Sequence, residues 1–312
     1  MTGKVQVLLS TYNGAPYIAE QLNSILEQTY TNIHILIRDD GSTDDTLQIL
    51  EHYARKHPKQ INYQKRENIG VIRSFWSLIE EADTAAQYFC FCDQDDIWMP
   101  HKIADQVNVI TTRLLDSPDQ PSMVCTSTQI TDEHLKPTIV WPQNLKKEPS
   151  FFNALFQNIA VGTTIMLNHA AFKLFYNKDI EMNRIQMHDW WIYLTVSCLG
   201  KVYFDPKPSV YYRQHGGNVV GGESTQLQKI KKKWNSFRKH KDKKLLVQQA
   251  KEFKRVYGDQ ITDPQMKQQL EAFITPRSTL IQRIQYLRQC QLYRQSTTEQ
   301  WLFRFLILIG YI

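Results

Sequence analysis

The chain has 312 residues, of which 42% are hydrophobic and 22% charged. That make-up excludes a disordered or fibrous protein and leaves room for one α/β domain with an appendage. The formal net charge of +6 is concentrated between Lys229 and Arg255, where twelve lysines and arginines face only Asp242 and Glu252, so this segment calls for an anionic neighbour. Met1-Thr2-Gly3-Lys4 runs straight into an apolar strand without a signal-peptide pattern. Cys90, Cys92, Cys125, Cys198 and Cys290 form no CxxC pair. Both features lead us to expect a cytoplasmic protein with reduced thiols.

Val5 to Leu9 reads as a buried strand, Ser10-Thr11-Tyr12-Asn13-Gly14 as a turn, and the stretch from about Pro16 as a helix with Ile18, Leu22, Ile25 and Leu26 on one face. A second strand, Ile33 to Ile37, ends in Arg38-Asp39-Asp40-Gly41-Ser42-Thr43-Asp44-Asp45. Gly41 suits a tight turn there, and Ser42 or Thr43 suits the cap of the next helix. A third strand, Ile61 to Gln64, leads to Asn68-Ile69-Gly70 and a helix through Phe75, Leu78 and Ile79.

The most informative stretch follows. Tyr88-Phe89-Cys90-Phe91-Cys92 is an apolar run typical of a sheet core, and it ends abruptly in Asp93-Gln94-Asp95-Asp96. Clustered carboxylates repel one another, and the spacing Asp93-x-Asp95 suits a hard divalent cation with oxygen ligands. Strand and helix alternate throughout, so the sheet should be mainly parallel, with its polar turns at the carboxyl edge.

A helix from Pro100 to Leu115 and strands at Met123 to Ile130 and Thr163 to Leu167 come next, with Pro137 to Pro149 between those strands as a long irregular loop. Met187-His188-Asp189-Trp190-Trp191 opens a further helix, which puts Asp189 in its first turn, where free amides and the dipole keep a carboxylate ionised. Val202 to Phe204 and Ser209 to Tyr212 resume strand character. Arg213-Gln214-His215-Gly216-Gly217-Asn218 then places an arginine and a histidine in a glycine-rich loop suited to a diphosphate. The expected division is a catalytic domain over residues 1–221 and a basic helical region over 222–312.

In this order Ser10-Thr11-Tyr12-Asn13, Asp39-Asp40-Gly41-Ser42-Thr43-Asp44, Asn68-Ile69-Gly70, Asp93-Gln94-Asp95-Asp96-Ile97-Trp98 and His188-Asp189-Trp190-Trp191 resemble the inverting family-2 glycosyltransferases of GT-A fold. The loop Tyr212 to Gly221 most resembles bacterial, particularly streptococcal, rhamnosyltransferases of cell-wall polysaccharide synthesis. The resemblance implies that Ser10, Tyr12 and Asp40 contact the nucleoside, with Thr11, Asp39 and Gln94 in the same donor site. It sets Asn68 and Gly70 at the ribose or diphosphate and Arg213 at the diphosphate. Asp93 and Asp95 become the DxD pair for Mg²⁺ or Mn²⁺, with His215 beside the metal, and Asp189 the general base. A dTDP-β-L-rhamnose donor and a polyprenyl-diphosphate-linked saccharide acceptor follow from it. His188 stands where the family often has glutamate. A nucleotidyltransferase would be expected to carry a basic loop after the first strand, which Ser10 to Pro16 lacks, and a silent nucleotide-sugar-binding module would have no use for all three carboxylate sites. The basic segment carries few stacking aromatics, so nucleic acid is not an expected partner.

In the last third Leu227, Ile230, Trp234 and Phe237, and later Leu280, Ile281, Ile284 and Leu287, recur at helical spacing. The apolar ending from Trp301 to Ile312 is too short to span a bilayer. These features suggest an interfacial anchor or a homodimer contact on a peripheral enzyme at the inner, anionic face of the cell membrane.

Overall fold

The structure, a computed structural model, describes residues 3–114, 117, 119–216 and 244–312. The chain forms two compact units, one of residues 1–144, 159–178 and 200–213, the other of residues 145–158, 179–199 and 214–312. The boundary expected at Gly221-Gly222, and the stripe of Leu227, Ile230, Trp234 and Phe237, lie outside the described residues.

The first unit holds the sheet. Its strands are β1 (Val5–Thr11), β2 (Ile33–Asp39), β3 (Ile61–Lys65), β4 (Tyr88–Cys92), β5 (Ile97–Trp98), β6 (Ser122–Thr131), β7 (Pro137–Trp141), β8 (Met166–Asn168) and β9 (Lys201–Arg213). They run in the order β3-β2-β1-β4-β8-β6-β9-β5, with β7 paired to β6. The ladders β1–β2, β1–β4, β2–β3 and β6–β9 are parallel and carry most of the registered pairs. Helices α1 (Ile18–Leu26), α2 (Thr46–Lys56), α3 (Val71–Glu80), α4 (Lys102–Val109) and the short α6 (His169–Phe172) belong to this unit. This mixed α/β architecture, with its mainly parallel sheet, is the one that the GT-A resemblance implies.

Burial explains why β4 reads as an unbroken apolar run and β1 as one interrupted only by the buried Gln6 before its polar end. Val5, Val7, Leu8 and Leu9 of β1 and Phe89, Cys90, Phe91 and Cys92 of β4 are fully buried, as strands covered on both faces require. Phe89 stacks on Phe172 of α6 at 3.7 Å between centroids, and Phe91 meets Phe75 of α3 edge-on at 6.0 Å. Helix α1 buries Ile18, Leu22 and Ile25, as its sequence spacing predicted. The strand order reverses between β1 and β4, because β2 and β3 extend the sheet to one side and β4 to the other. In such sheets the crevice at the reversal point, at the carboxyl ends of the strands, is where ligands bind.

Several local expectations are corrected. Pro137 to Trp141, read as irregular loop, is strand β7 on the edge of β6. Its leading proline and short apolar run hide a pairing that only the partner strand supplies. Residues Gly162–Thr164 form a 3₁₀ turn, and the strand is confined to Met166–Asn168. The two stretches expected around Val202 and Ser209 are one strand, β9, whose pairing with β6 shifts register between Thr126 and Thr128. Helix α4 continues as a π-helical turn over Ile110–Leu114.

The second unit is helical: α5 (Phe151–Ala154), α7 (His188–Leu199), α8 (Leu245–Tyr257), α9 (Pro264–Ile274), α10 (Leu280–Gln289) and α11 (Thr297–Leu308). Trp191, Phe253 and Tyr257 pack ring against ring in its core, with centroids 5.4 to 6.0 Å apart. Phe156 meets both Phe273 and Phe303 there.

Candidate active site

Parallel pairing gathers three polar strand ends. Leu9 is registered with Cys92 and Thr11 with Asp39, so the turns after β1, β2 and β4 emerge side by side. Gln94 locks the first to the third. Its Oε1 accepts from Thr11 Oγ1 at 2.7 Å and from the Tyr12 amide at 2.8 Å, while its Nε2 donates to the Tyr12 carbonyl at 3.2 Å. A Cβ on Gly14 would lie 2.4 Å from that same Oε1, so the close approach requires glycine.

Asn13, at φ 49, locks the first turn to the second. Its amide donates to Ser42 Oγ and its Oδ1 accepts from the Thr43 amide, both at 2.8 Å. Ser42 and Thr43 are thereby taken up and neither caps α2: its N-cap residue is Asp45, which makes no side-chain cap bond, while Asp44 Oδ1 accepts from the Thr46 amide at 3.1 Å. Burial alone would raise the Asp44 carboxyl, but hydrogen bonds from Thr46 and the Ala15 amide hold it below the usual range.

Asp39 is fully buried. Its Oδ1 accepts from the amides of Gly41 and Ser42 at 3.2 and 3.0 Å. Asp40 pairs with Arg38 and accepts from the amides of Ile69 at 3.0 Å and Gly70 at 2.9 Å, fixing the turn before α3. Gly70 needs no side chain there and sits at φ 81, a region open to glycine. Asn68 is exposed beside it. The Ser10 and Ser74 hydroxyls, the latter on α3, hydrogen-bond to one another at 2.6 Å. Ser10, Thr11, Tyr12, Asp39, Asp40, Asn68, Gly70 and Gln94 thus belong to one assembly of strand-end turns.

Asp93 and Asp95 are half-buried in the turn after β4, and Asp96 is buried at 1% exposure. Burial pushes the Asp96 carboxyl well above its ordinary range, and the charges of Asp95 and Asp93 push it further. Asp96 Oδ1 accepts from the Arg213 amide at 3.2 Å, tying the end of β9 to the acidic turn. Arg213 itself is 5% exposed. Its Nε donates to the Asp95 carbonyl at 3.1 Å, its Nη2 pairs with Glu20, and its guanidinium lies 5.0 Å from the centre of the Tyr17 ring. As it stands it braces the turn that presents Asp95. Asp96 and Glu20 were missed as site residues, because only the folded chain reveals their shared partner.

The acidic turn suits a hard cation: two half-buried carboxylates separated by one residue supply oxygen donors. Among the described residues no three His, Cys, Asp or Glu side chains are gathered to hold a metal alone. A cation here would take the rest of its ligands from substrate and solvent. A cleft of about 240 Å³ lined by Met99, Lys102, Gln106 and Val124 does not include Asp93 or Asp95.

Asp189 and His215 belong to the second unit. Asp189 sits in the first turn of α7, as expected, half-buried, with its Oδ1 accepting from the Trp190 amide at 2.6 Å. Trp190 Nε1 donates to the Ala154 carbonyl at 2.7 Å. The segment leading into α7 is held by α8: Glu252 accepts from the Glu181 amide and Gln249 from the Gln186 amide, both at 2.8 Å. Glu252, fully buried and paired with Arg255, was also missed. The signal for it was an acid, one of only two, inside a strongly basic stretch.

His188 is 2% exposed, and burial lowers its imidazole from the usual 6.5 to about 3. Above pH 6.5 it is neutral in both folded and unfolded chains and adds no pH dependence. Between 6.5 and about 3 only the unfolded chain takes up the proton, so stability should fall with acidification by about 1.4 kcal/mol per pH unit. Below about 3 the loss stops growing. Melting temperature measured across this window should fall less steeply for His188→Gln than for wild type; equal slopes would reject a neutral buried His188.

Residues 6–175 match the sequence model of glycosyl transferase family 2. The chain belongs to that family. This glycosyltransferase is 30% identical over 238 residues to the dTDP-rhamnosyl transferase RfbG of Shigella flexneri, covering 72% of the chain and 77% of the relative. Its fold is similar to that of S. aureus TarS 1-349 in complex with UDP-GlcNAc, with TM-score 0.61 and 16% identity over 99% of this chain and 81% of that one. It is also similar to the mannosyltransferase PcManGT of Pyrobaculum calidifontis in complex with GDP-Man and Mn²⁺, with TM-score 0.54 and 17% identity over 100% and 86% of the two chains.

Proposed function

We propose that this glycosyltransferase moves L-rhamnose, with inversion, from dTDP-β-L-rhamnose to a hydroxyl of a lipid-linked saccharide during cell-wall polysaccharide synthesis, at the inner face of the membrane. The observation that carries the donor is the 30% identity to a dTDP-rhamnosyl transferase across most of both chains. The three interlocked strand-end turns support a nucleotide-sugar site at the sheet's reversal point.

In this reading Ser10, Tyr12 and Asp40 bind the nucleoside, and Asn68 and Gly70 the ribose or diphosphate. Asp93 and Asp95 would hold a divalent cation, which when bound would neutralise the diphosphate; the expected third ligand, His215, is not gathered with them. Arg213 keeps the Asp95 turn in place through its bond to the Asp95 carbonyl. Asp189 takes the proton of the acceptor hydroxyl as that oxygen attacks the anomeric carbon, and the bond from that carbon to the diphosphate oxygen breaks. One displacement inverts the centre, so a β-linked donor gives an α-rhamnoside and dTDP.

A panel of nucleotide-sugars, each assayed for donor hydrolysis and for transfer to a synthetic polyprenyl-diphosphate saccharide, tests this reading. dTDP-rhamnose should be consumed fastest, and the product should show an α linkage by NMR. Preference for a UDP- or GDP-sugar would overturn the donor, and a β-rhamnoside would overturn inversion.

A further inference from the structure

The second unit ends in a helical hairpin whose apolar residues divide between two sides. Helices α10 and α11 are clamped by a reciprocal pair of arginines: Arg283 donates to the Leu308 carbonyl at 3.1 Å and Arg304 to the Leu287 carbonyl at 3.3 Å. Inward, α11 buries Phe303 and Ile307, and α10 buries Tyr286 and Leu287. Outward, α11 exposes Trp301 at 72%, Leu302 and Phe305 at 54% and Ile309 at 48%, while α10 exposes Leu280 at 57% and Ile281 at 69%. The stripe expected on α10 from its sequence is therefore mostly uncovered, with only Leu287 of that set buried.

The charge of this segment bears on what covers the face. Residues 277–312 contain Arg277, Arg283, Arg288, Arg294 and Arg304 against the single acid Glu299. Arg294 pairs with Glu299, and among the described residues the other four have no carboxylate partner. Arg277, Arg283 and Arg304 donate to backbone carbonyls, which leaves their positive charge uncancelled, and Arg288 is exposed. An exposed tryptophan and phenylalanine on a hairpin of net positive charge match the headgroup boundary of an anionic bilayer, where aromatic rings settle and cations meet lipid phosphates. A second copy of the same basic face would bring arginine against arginine, which like-charge repulsion opposes. No helix among the described residues is long and apolar enough to cross a membrane, so the contact would be parallel to the surface.

We propose that the outer face of the α10–α11 hairpin is a docking surface for an anionic lipid bilayer, inserting Trp301 and Phe305 into the headgroup region. It deepens the proposed action on a lipid-linked acceptor, which gives such docking its use. Flotation of the full-length protein with vesicles is read without donor or acceptor, so its failure is distinguishable from failure of that assignment.

Vesicles of phosphatidylcholine mixed with phosphatidylglycerol should carry the protein upward, and pure phosphatidylcholine vesicles should carry much less. The exposed double variant Trp301→Ser, Phe305→Ser should bind the anionic vesicles at least about tenfold more weakly while retaining wild-type donor hydrolysis in solution. Flotation of the variant equal to wild type overturns the proposal, as does absence of wild-type flotation. A wild-type dimer in sedimentation that the double variant reduces to monomer would also overturn it, assigning the face to a second copy.

Discussion

Asp189→Asn should leave donor affinity close to wild type while turnover falls by about 10² to 10⁴, the range expected when a general base is removed. Asparagine keeps nearly the same shape, so the bond from the Trp190 amide to the side-chain oxygen and the start of α7 should survive. What is lost is a group able to accept the hydroxyl proton during attack. Calorimetric donor titration beside the steady-state transfer rate separates the two effects. Near-normal turnover would assign the base elsewhere, and a collapse of donor affinity would make Asp189 a binding residue.

Asp95→Ala acts at the opposite end of the reaction and should cost more, roughly a thousandfold in transfer or greater. Losing a charged oxygen ligand forfeits several kcal/mol of charge stabilisation at the departing diphosphate. Asp93→Ala should be the milder lesion. Exhaustive chelation of wild type should reproduce the Asp95→Ala rate, and Mg²⁺ or Mn²⁺ should restore wild type but not the variant. A fully active chelated enzyme would mean that the acidic turn works without a cation. The backbone carbonyl of Asp95 still bonds Arg213 in the alanine variant, so lost activity should come with little change in melting temperature.

The site was legible where its chemistry is local. Buried parallel strands show as apolar runs, and such a run ending in Asp93-Gln94-Asp95-Asp96 has few explanations other than a strand-end site. Contacts made across the fold were not legible. Ser42 and Thr43 look like caps from their neighbours, yet Asn13, about thirty residues away, claims them both. Arg213 looks like a phosphate ligand from its loop, yet Glu20 and the Asp95 carbonyl engage it from distant segments. In α10, spacing identified an apolar stripe but could not say whether protein covers it, because periodicity fixes a face and not its environment.

The ends of the sheet bear on how this protein can associate with itself. Two borders are β3, whose Asn62, Gln64 and Lys65 offer polar and charged side chains, and β5, only two residues long; the third is β7, paired to β6 alone. A neighbouring chain seeking to extend the sheet needs a long, flat, apolar border with unsatisfied backbone groups, and neither β3 nor β5 is one. Growth into amyloid-like stacks by strand addition is therefore blocked at the termini of the sheet order. Strand β7 is the border left open, with Ile139 and Trp141 exposed, so any strand addition in concentrated solutions of the enzyme should begin there, and Ile139→Lys should suppress it.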